Sequence, residues 1–217
     1  MSALRAAVLG AGSFGTALSS VLLEAGHHVT LWCFEPGHAE EVEAAGRNTR
    51  YQSDFELPGI HATGDLRAAV DGADLVLFVS PSHVTRPLIR NARPHLREGV
   101  LLASATKGIE EGGETMAEVL AEELGPVLAA RCAFVSGPSF AREVLERQPT
   151  AVVVAAGDEA VARSVQEAFA TPFFRTYRST DIVGVELGGA VKNIMAIAAG
   201  LSDGLGFGHN ARAALIT

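Results

Sequence analysis

A doubly wound, mostly parallel α/β sheet followed by the start of an all-α segment is the fold class this chain predicts, and three observations predict it. Short, uninterrupted apolar runs alternate with amphipathic helical stretches up to about residue 180, the pattern of parallel strands covered on both faces. The first run, Leu4 to Leu9, leads through Gly10-Ala11-Gly12-Ser13-Phe14-Gly15 into a helical stretch, Thr16 to Glu24. From Asp181 the alternation stops, and Val183 to Gly200 is a long helical run of small and apolar residues with no strand after it. The expected organisation is an open sheet over residues 1–181 and the first helices of a second, helical unit over 182–217.

Taken in order, Gly26-His27-His28 turns the chain into a second strand, Val29 to Phe34, which ends at Glu35. A helix near Glu40 to Ala45 precedes a polar stretch, Arg47 to Gly59. Leu66 to Val70 reads as a short helix, and Ala73 to Val79 as a buried strand ending in Ser80-Pro81-Ser82-His83. A helix from Val84 to Pro94 leads to the strand Val100 to Ser104, which ends at Thr106-Lys107-Gly108. Glu114 to Leu124 is helical and leads to Cys132 to Val135, which ends at Ser136-Gly137-Pro138-Ser139-Phe140. Ala151 to Ala155 and Phe173 to Tyr177 are strands flanking a helix from Glu159 to Ala168. Gly204, Gly206 and Gly208 form a turn, and helical character resumes from Asn210 to Thr217. No C-cap glycine or proline follows, so the chain is expected to stop inside a helix, as a truncated piece would.

Strand, glycine-rich turn, helix, strand and terminal acid is the order of a dinucleotide-binding unit. Gly10 permits the tight turn, Gly12 lets backbone amides approach a pyrophosphate, and Gly15 lets the helix lie close to the sheet. The helix N-terminus offers free N–H groups and a partial positive charge. Phe34 and Glu35 close the second strand, where a carboxylate can accept hydrogen bonds from an adenosine ribose. A turn that binds nothing is the competing reading.

Ligands of open α/β sheets bind beyond the carboxyl ends of the strands, which singles out Lys107 and His83. A solvated lysine and a structural histidine are the alternatives. His27, His28 and His38 fall in turns and are expected at the surface. On its helix Lys192 shares a face with Val185, Gly188, Gly189, Met195, Ala196 and Ala199. Burial there, and a second cation such as Lys107, would favour the neutral amine that proton transfer needs. A lysine whose stem merely covers apolar surface is the alternative.

The 217 residues carry a formal charge of −8 and no Lys/Arg cluster, which argues against nucleic acid and anionic membranes as partners. Cys33 and Cys132 sit in apolar runs and are expected as buried free thiols, with no metal site and no disulfide. No signal segment is read before the first strand and no apolar run is read as membrane-spanning, so a cytoplasmic protein without membrane insertion is expected.

Four segments together resemble the glycerol-3-phosphate dehydrogenase family: GAGSFGTALS from Gly10, ATKGIE from Ala105, SGPSFAREV from Ser136, and the long ELGGAVKNIMAIAAGLSDGLGFGHNARAALIT from Glu186. The resemblance spans the chain in the family's order. It implies reversible hydride transfer between a nicotinamide cofactor and C2 of the small phosphorylated substrate glycerol 3-phosphate, giving dihydroxyacetone phosphate and supporting phospholipid synthesis. Lys192 matches the family's catalytic, substrate-contacting lysine, which takes or returns the C2 hydroxyl proton. Lys107 matches the lysine that contacts substrate and cofactor and polarises the reacting oxygen. Gly137 and Ser139 match substrate-contacting positions; Ser13, Phe14 and Ala141 match cofactor-contacting ones; and Asn193 one that orients the site.

The aromatic and acid of Phe34-Glu35, where NADP-favouring members often place a basic residue, imply NAD over NADP. The resemblance also implies a larger helical domain whose Arg-Asn pair clamps the substrate phosphate. Arg47-Asn48 and Arg90-Asn91 lie in the nucleotide-binding half and are not that pair. Without it these residues are expected to bind cofactor weakly and to be nearly inactive. The apolar face of Val183 to Thr217 is expected to seek a partner, as a homodimer or an aggregate. A β-hydroxyacid or ketopantoate-type dehydrogenase and a non-catalytic NAD-sensing module are the competing readings. The segment Glu186 to Gly208 argues against the first, and the second leaves Lys192 without a role.

Overall fold

The computed structural model describes residues 2–216. Among them β1 (Arg5–Leu9), β2 (His28–Trp32), β3 (His61–Thr63), β4 (Leu75–Phe78), β5 (Leu101–Ser104), β6 (Cys132–Ser136), β7 (Thr150–Ala155) and β8 (Phe174–Ser179) join one sheet in the order β3-β2-β1-β4-β5-β6-β7-β8. Every neighbouring pair is parallel except β6 and β7. The order reverses between β1 and β4, so a crevice opens beyond Leu9 and Phe78, where such sheets take their ligands.

The covering helices are α1 (Ser13–Glu24), α2 (His38–Ala45), α3 (Leu66–Val70), α4 (Ser82–Ala92), α5 (Met116–Leu124), α6 (Pro126–Ala129), α7 (Ala141–Leu145) and α8 (Glu159–Ala168). Alternation along β4 shows why both faces are sealed. Leu75 and Leu77 join a core with Leu18 and Leu22 of α1 and Val165 of α8, while Val76 and Phe78 join a second core with Leu88 and Ile89 of α4 and Val119 of α5. α9 (Ile182–Gly204) and α10 (His209–Ile216) follow β8, and Asp181 caps α9 through the Gly184 amide. Thr217, the last residue of the predicted final helix, lies outside the described residues.

Several local expectations differ from this. α1 begins at Ser13 rather than Thr16, because the last turn of the glycine loop is already helical and Gly12 is its N-cap. β2 stops at Trp32, level with Leu9 of β1 and Thr63 of β3. The three-residue edge strand β3 and the four-residue α6 are too short to show a period, and α7, though as long as the predicted α3, is not among the predicted helices. His27 and His38 are buried, against the expected surface position. Nδ1 of His27 accepts from the Leu4 amide at 3.1 Å and its Nε2 meets the Ala168 carbonyl at 3.0 Å, tying the residue that leads into β1 to the end of α8. Burial holds the His27 imidazole below its ordinary pKa.

α9 is also longer than expected. Its 23 residues are long and apolar enough to cross a bilayer, which no run in the sequence was read to be. Two ionisable residues in its first half, Glu186 and Lys192, instead face α5 and a cleft beside the sheet.

Candidate active site

The glycine loop leaves β1 at the crevice. Gly10 has φ +131°, a backbone that L side chains rarely adopt, and a Cβ there would press on the Val79 carbonyl carbon at 2.9 Å. A Cβ on Gly15 would collide with the Gly10 carbonyl, so α1 could not start so close to the strand. Gly12 is different: a Cβ would meet nothing within 4 Å and would project into open space at the uncapped start of α1. Two glycines are therefore required by the protein's own packing, while the third leaves room for something else. That space, beside first-turn amides that no side chain caps, fits the diphosphate of a dinucleotide.

Phe34 is exposed at the end of β2, edge-on to Trp32. Glu35 beside it accepts from the Tyr51 hydroxyl at 2.9 Å and faces Nδ1 of His38 at 3.3 Å. Partial burial works against ionisation of Glu35, but its own amide, Tyr51 and His38 outweigh that and hold the carboxyl below its usual range. It remains partly open to solvent, with lone pairs left for a ribose hydroxyl.

Beyond β5 and β6 lies a cleft of about 670 Å³, and the two lysines singled out in the sequence both reach it. Lys107 comes from the end of β5; its Nζ stands 4.5 Å from the Phe14 ring centroid and 3.5 Å from Ser139 Oγ. Desolvation, and then the nearby Lys192 ammonium, lower the Lys107 pKa. Lys192 enters from α9, with Nζ 5.7 Å from the Phe140 ring centroid. Its residue is exposed, so the burial expected at Lys192 is found at Lys107 instead. Among the described residues neither lysine has a carboxylate partner, which leaves two cations facing one cleft.

Gly137, Ser139 and Asn193 line the same cleft. Ser139 Oγ donates to the Gly137 carbonyl at 3.1 Å, which fixes its rotamer. Gly188 and Gly189 line the wall of α9, and Ser136 Oγ lies 2.6 Å from where a Gly189 Cβ would sit. A larger residue there would force the Ser136 side chain to turn away or α9 to shift. Val185, Gly188, Gly189 and Ala196 line the cleft with Lys192 as their spacing predicted, but Met195 and Ala199 are not among the lining residues. Ala141 starts α7, whose Val144 and Leu145 pack in the same core as Leu18 and Leu22 of α1. His83 is exposed and does not line this cleft.

Two groups the sequence did not single out belong to this region. Glu186, one turn and a half before Lys192, accepts from the Ala117 amide at 3.1 and 3.3 Å, at the N-terminus of α5. Asn48, wholly buried, hydrogen-bonds the glycine loop from behind. A carboxylate among the apolar residues of the first half of α9 was the available signal for Glu186; an asparagine in a polar loop offers none. The described residues contain no group of three His, Cys, Asp or Glu placed to hold a metal. Cys33 and Cys132 are buried free thiols, their pKa values pushed up to about 12 by desolvation.

A glycine loop at the switch point of a parallel sheet, with a second, cationic cleft beyond its neighbouring strands, defines a Rossmann-type dinucleotide-binding protein. Comparison with known families gives the next step. The N-terminal model of NAD-dependent glycerol-3-phosphate dehydrogenase matches residues 5–162, and the C-terminal model matches 181–217. The chain belongs to the NAD-dependent glycerol-3-phosphate dehydrogenase family. It is 50% identical over 212 residues to the glycerol-3-phosphate dehydrogenase (NAD(P)+) of Syntrophotalea carbinolica, covering 97% of this chain and 64% of the relative. The enzyme of that name from Geobacter sulfurreducens is 51% identical over 215 residues, with 98% and 64% covered. A crystal structure of glycerol-3-phosphate dehydrogenase from Coxiella burnetii superposes with a TM-score of 0.89 at 42% identity, over 99% of this chain and 65% of that one. The chain thus spans a little under two thirds of the length of these relatives.

Proposed function

We propose that the chain carries the cofactor site and the catalytic lysine of a reversible, NAD(P)-dependent oxidation of sn-glycerol 3-phosphate to dihydroxyacetone phosphate. The observation that carries this reading is the convergence of Lys107 and Lys192, from segments far apart in the chain, on one cleft without a carboxylate. In this reading the division falls at 181/182, between the dinucleotide unit and a helical substrate unit. Support comes from the Asp181 cap of α9 and the start of the C-terminal family match.

Gly10, Gly12 and Gly15 shape the diphosphate position, with Ser13 and Phe14 at the start of α1. Phe34 and Glu35 take the adenosine end, and Ala141 borders the cofactor from α7. The bound cofactor supplies or accepts a hydride. Lys107, stacked on Phe14, lies where a cation can touch both cofactor and substrate and polarise the reacting oxygen. In the direction of ketone reduction, Lys192 delivers a proton to the C2 oxygen; in the reverse direction its amine takes the hydroxyl proton. Gly137 and Ser139 hold the substrate's hydroxyl end, and Asn193 orients the lysine beside it. Glu35 would repel a 2′-phosphate, so NAD is the preferred partner.

The test is oxidation of NADH by dihydroxyacetone phosphate in a protein of the relatives' full length. Lys192→Ala should lower turnover by about a thousandfold or more. Undiminished turnover in that variant overturns the assignment, and a strong preference for NADPH overturns the cofactor choice. The reading also places the enzyme in the cytoplasm as a source of glycerol 3-phosphate for phospholipid synthesis. Cells lacking it should then recover when glycerol 3-phosphate is supplied.

A further inference from the structure

We propose that Asn48 is a positioning residue that aims the glycine-loop amides at the cofactor diphosphate, acting through Thr16 and the loop's own carbonyls. The inference deepens the cofactor reading above and rests on it. It begins with an asparagine that has no accessible surface and no free hydrogen-bonding atom. Its Nδ2 donates to the Ala11 carbonyl and to Thr16 Oγ1, each at 2.7 Å. Thr16 Oγ1 in turn donates to the Gly12 carbonyl at 2.9 Å.

The Ala11 carbonyl is thus drawn toward the protein interior by Asn48, and the Gly12 carbonyl, which also accepts from the Thr16 amide at 2.9 Å as the first acceptor of α1, is held inward by a second donor. A trans peptide is planar, with C=O and N–H on opposite sides. Pulling in the carbonyl of Ala11 turns the Gly12 N–H outward, and pulling in that of Gly12 turns the Ser13 N–H outward. A Cβ on Gly12 would meet nothing within 4 Å, so the loop has open space beside it for a ligand. Amides oriented before the ligand arrives need no reorganisation on binding, and this is the usual source of affinity for phosphate at such loops.

The acceptor side of Asn48 reaches the other end of the site. Oδ1 accepts from the Tyr51 amide at 3.0 Å and the Arg50 amide at 3.3 Å, and meets Nε2 of His38 at 2.8 Å. His38 and Tyr51 are the two groups that hold the Glu35 carboxylate. One buried side chain thus joins the diphosphate loop to the carboxylate assigned to the ribose, across more than thirty residues of chain.

The experiment is calorimetric titration of the 217-residue chain with NADH and, separately, with ADP, at a temperature where circular dichroism shows each variant folded. Asn48→Ala and Thr16→Val should each raise the dissociation constant for both ligands about tenfold. In a protein of the relatives' full length the same changes should raise KM for NADH and leave kcat unchanged, which a general loss of structure would not do. Thr16→Val keeps the side chain's shape, and it decides alone if Asn48→Ala does not fold. Folded variants that bind both ligands as tightly as the parent chain overturn the proposal. A parent chain that binds neither NADH nor, in a third titration, NADPH overturns the cofactor reading itself, and the positioning role with it.

Discussion

Three glycines of one motif answer to different constraints, and substitution separates them. Gly15→Ala forces a Cβ into the Gly10 carbonyl and should destabilise the fold by about 2 kcal/mol or more, because backbone rather than a side chain must move. Gly12→Ala meets no atom and keeps allowed dihedrals, so its cost is that of a poorer N-cap, about 1 kcal/mol. Yet the added methyl group fills the space assigned to the diphosphate. Denaturant unfolding should find Gly12→Ala only about 1 kcal/mol less stable than the parent, while NADH titration should find binding weakened at least tenfold, about 1.4 kcal/mol. Equal NADH affinity in Gly12→Ala would place the diphosphate elsewhere.

At the scale of elements, the position of Lys192 depends on where α9 meets the sheet and α5. Gly189 sets the approach to β6, and Glu186 ties α9 to the first turn of α5. The segment between β5 and α5 is held in turn by Arg86 of α4. Its guanidinium donates to Glu110 at 2.6 Å, to Glu122 at 2.6 Å and to Glu123 at 3.1 Å. That places the Lys107 segment and the Lys192 helix on one connected scaffold. Desolvation raises the Glu186 pKa from 4.5 to about 7, more than the amides of α5 and the Thr115 hydroxyl lower it, and Glu118 adds to the rise. A carboxyl with a raised folded-state pKa binds its proton more tightly in the native state. Its contribution is therefore complete below pH 4.5 and is lost as pH rises to about 7. Between those values the parent should lose stability relative to Glu186→Gln, by on the order of 1–2 kcal/mol once screening by the solvent that still reaches the side chain is included. Parallel pH profiles of unfolding free energy for the two proteins would refute this.

For the molecule as a whole, the sheet is sealed on both faces but α9 is not. Ile194, Ile197, Leu201 and Leu205 are each more than 60% exposed and follow helical spacing, which makes one continuous apolar stripe. Surfaces of that kind seek partners in water. These 217 residues should self-associate with rising concentration in sedimentation velocity. Ile194→Glu with Ile197→Glu should suppress that without changing NADH affinity, because neither residue lines the cleft. A monomer at all concentrations would show that the stripe drives no association. Lys192, on the face of α9 opposite this stripe, is itself exposed to bulk water, so on the proposed reaction the 217 residues should reduce dihydroxyacetone phosphate far more slowly than a protein of the relatives' length.

Much of this was legible in the chain itself. The strands β1, β4, β5 and β6 are short apolar runs whose neighbours in sequence already mark their period and ends. The glycine loop is likewise a pattern of six adjacent positions, and the small-residue face around Lys192 repeats at helical spacing within one segment, Val185 to Ala199. Three-residue β3 fell below the length at which a period can be recognised. The burial of His27 and His38, the shift of desolvation from Lys192 to Lys107, and the links made by Asn48 and Glu186 were settled only by tertiary structure. Each joins groups that sequence places tens of residues apart, and a side chain's solvation and partners depend on what the fold packs against it. Local periodicity and backbone stereochemistry act between near neighbours and can be read from the chain. Which polar groups meet, and in how dry a place, is decided when the sheet closes and its helices settle upon it.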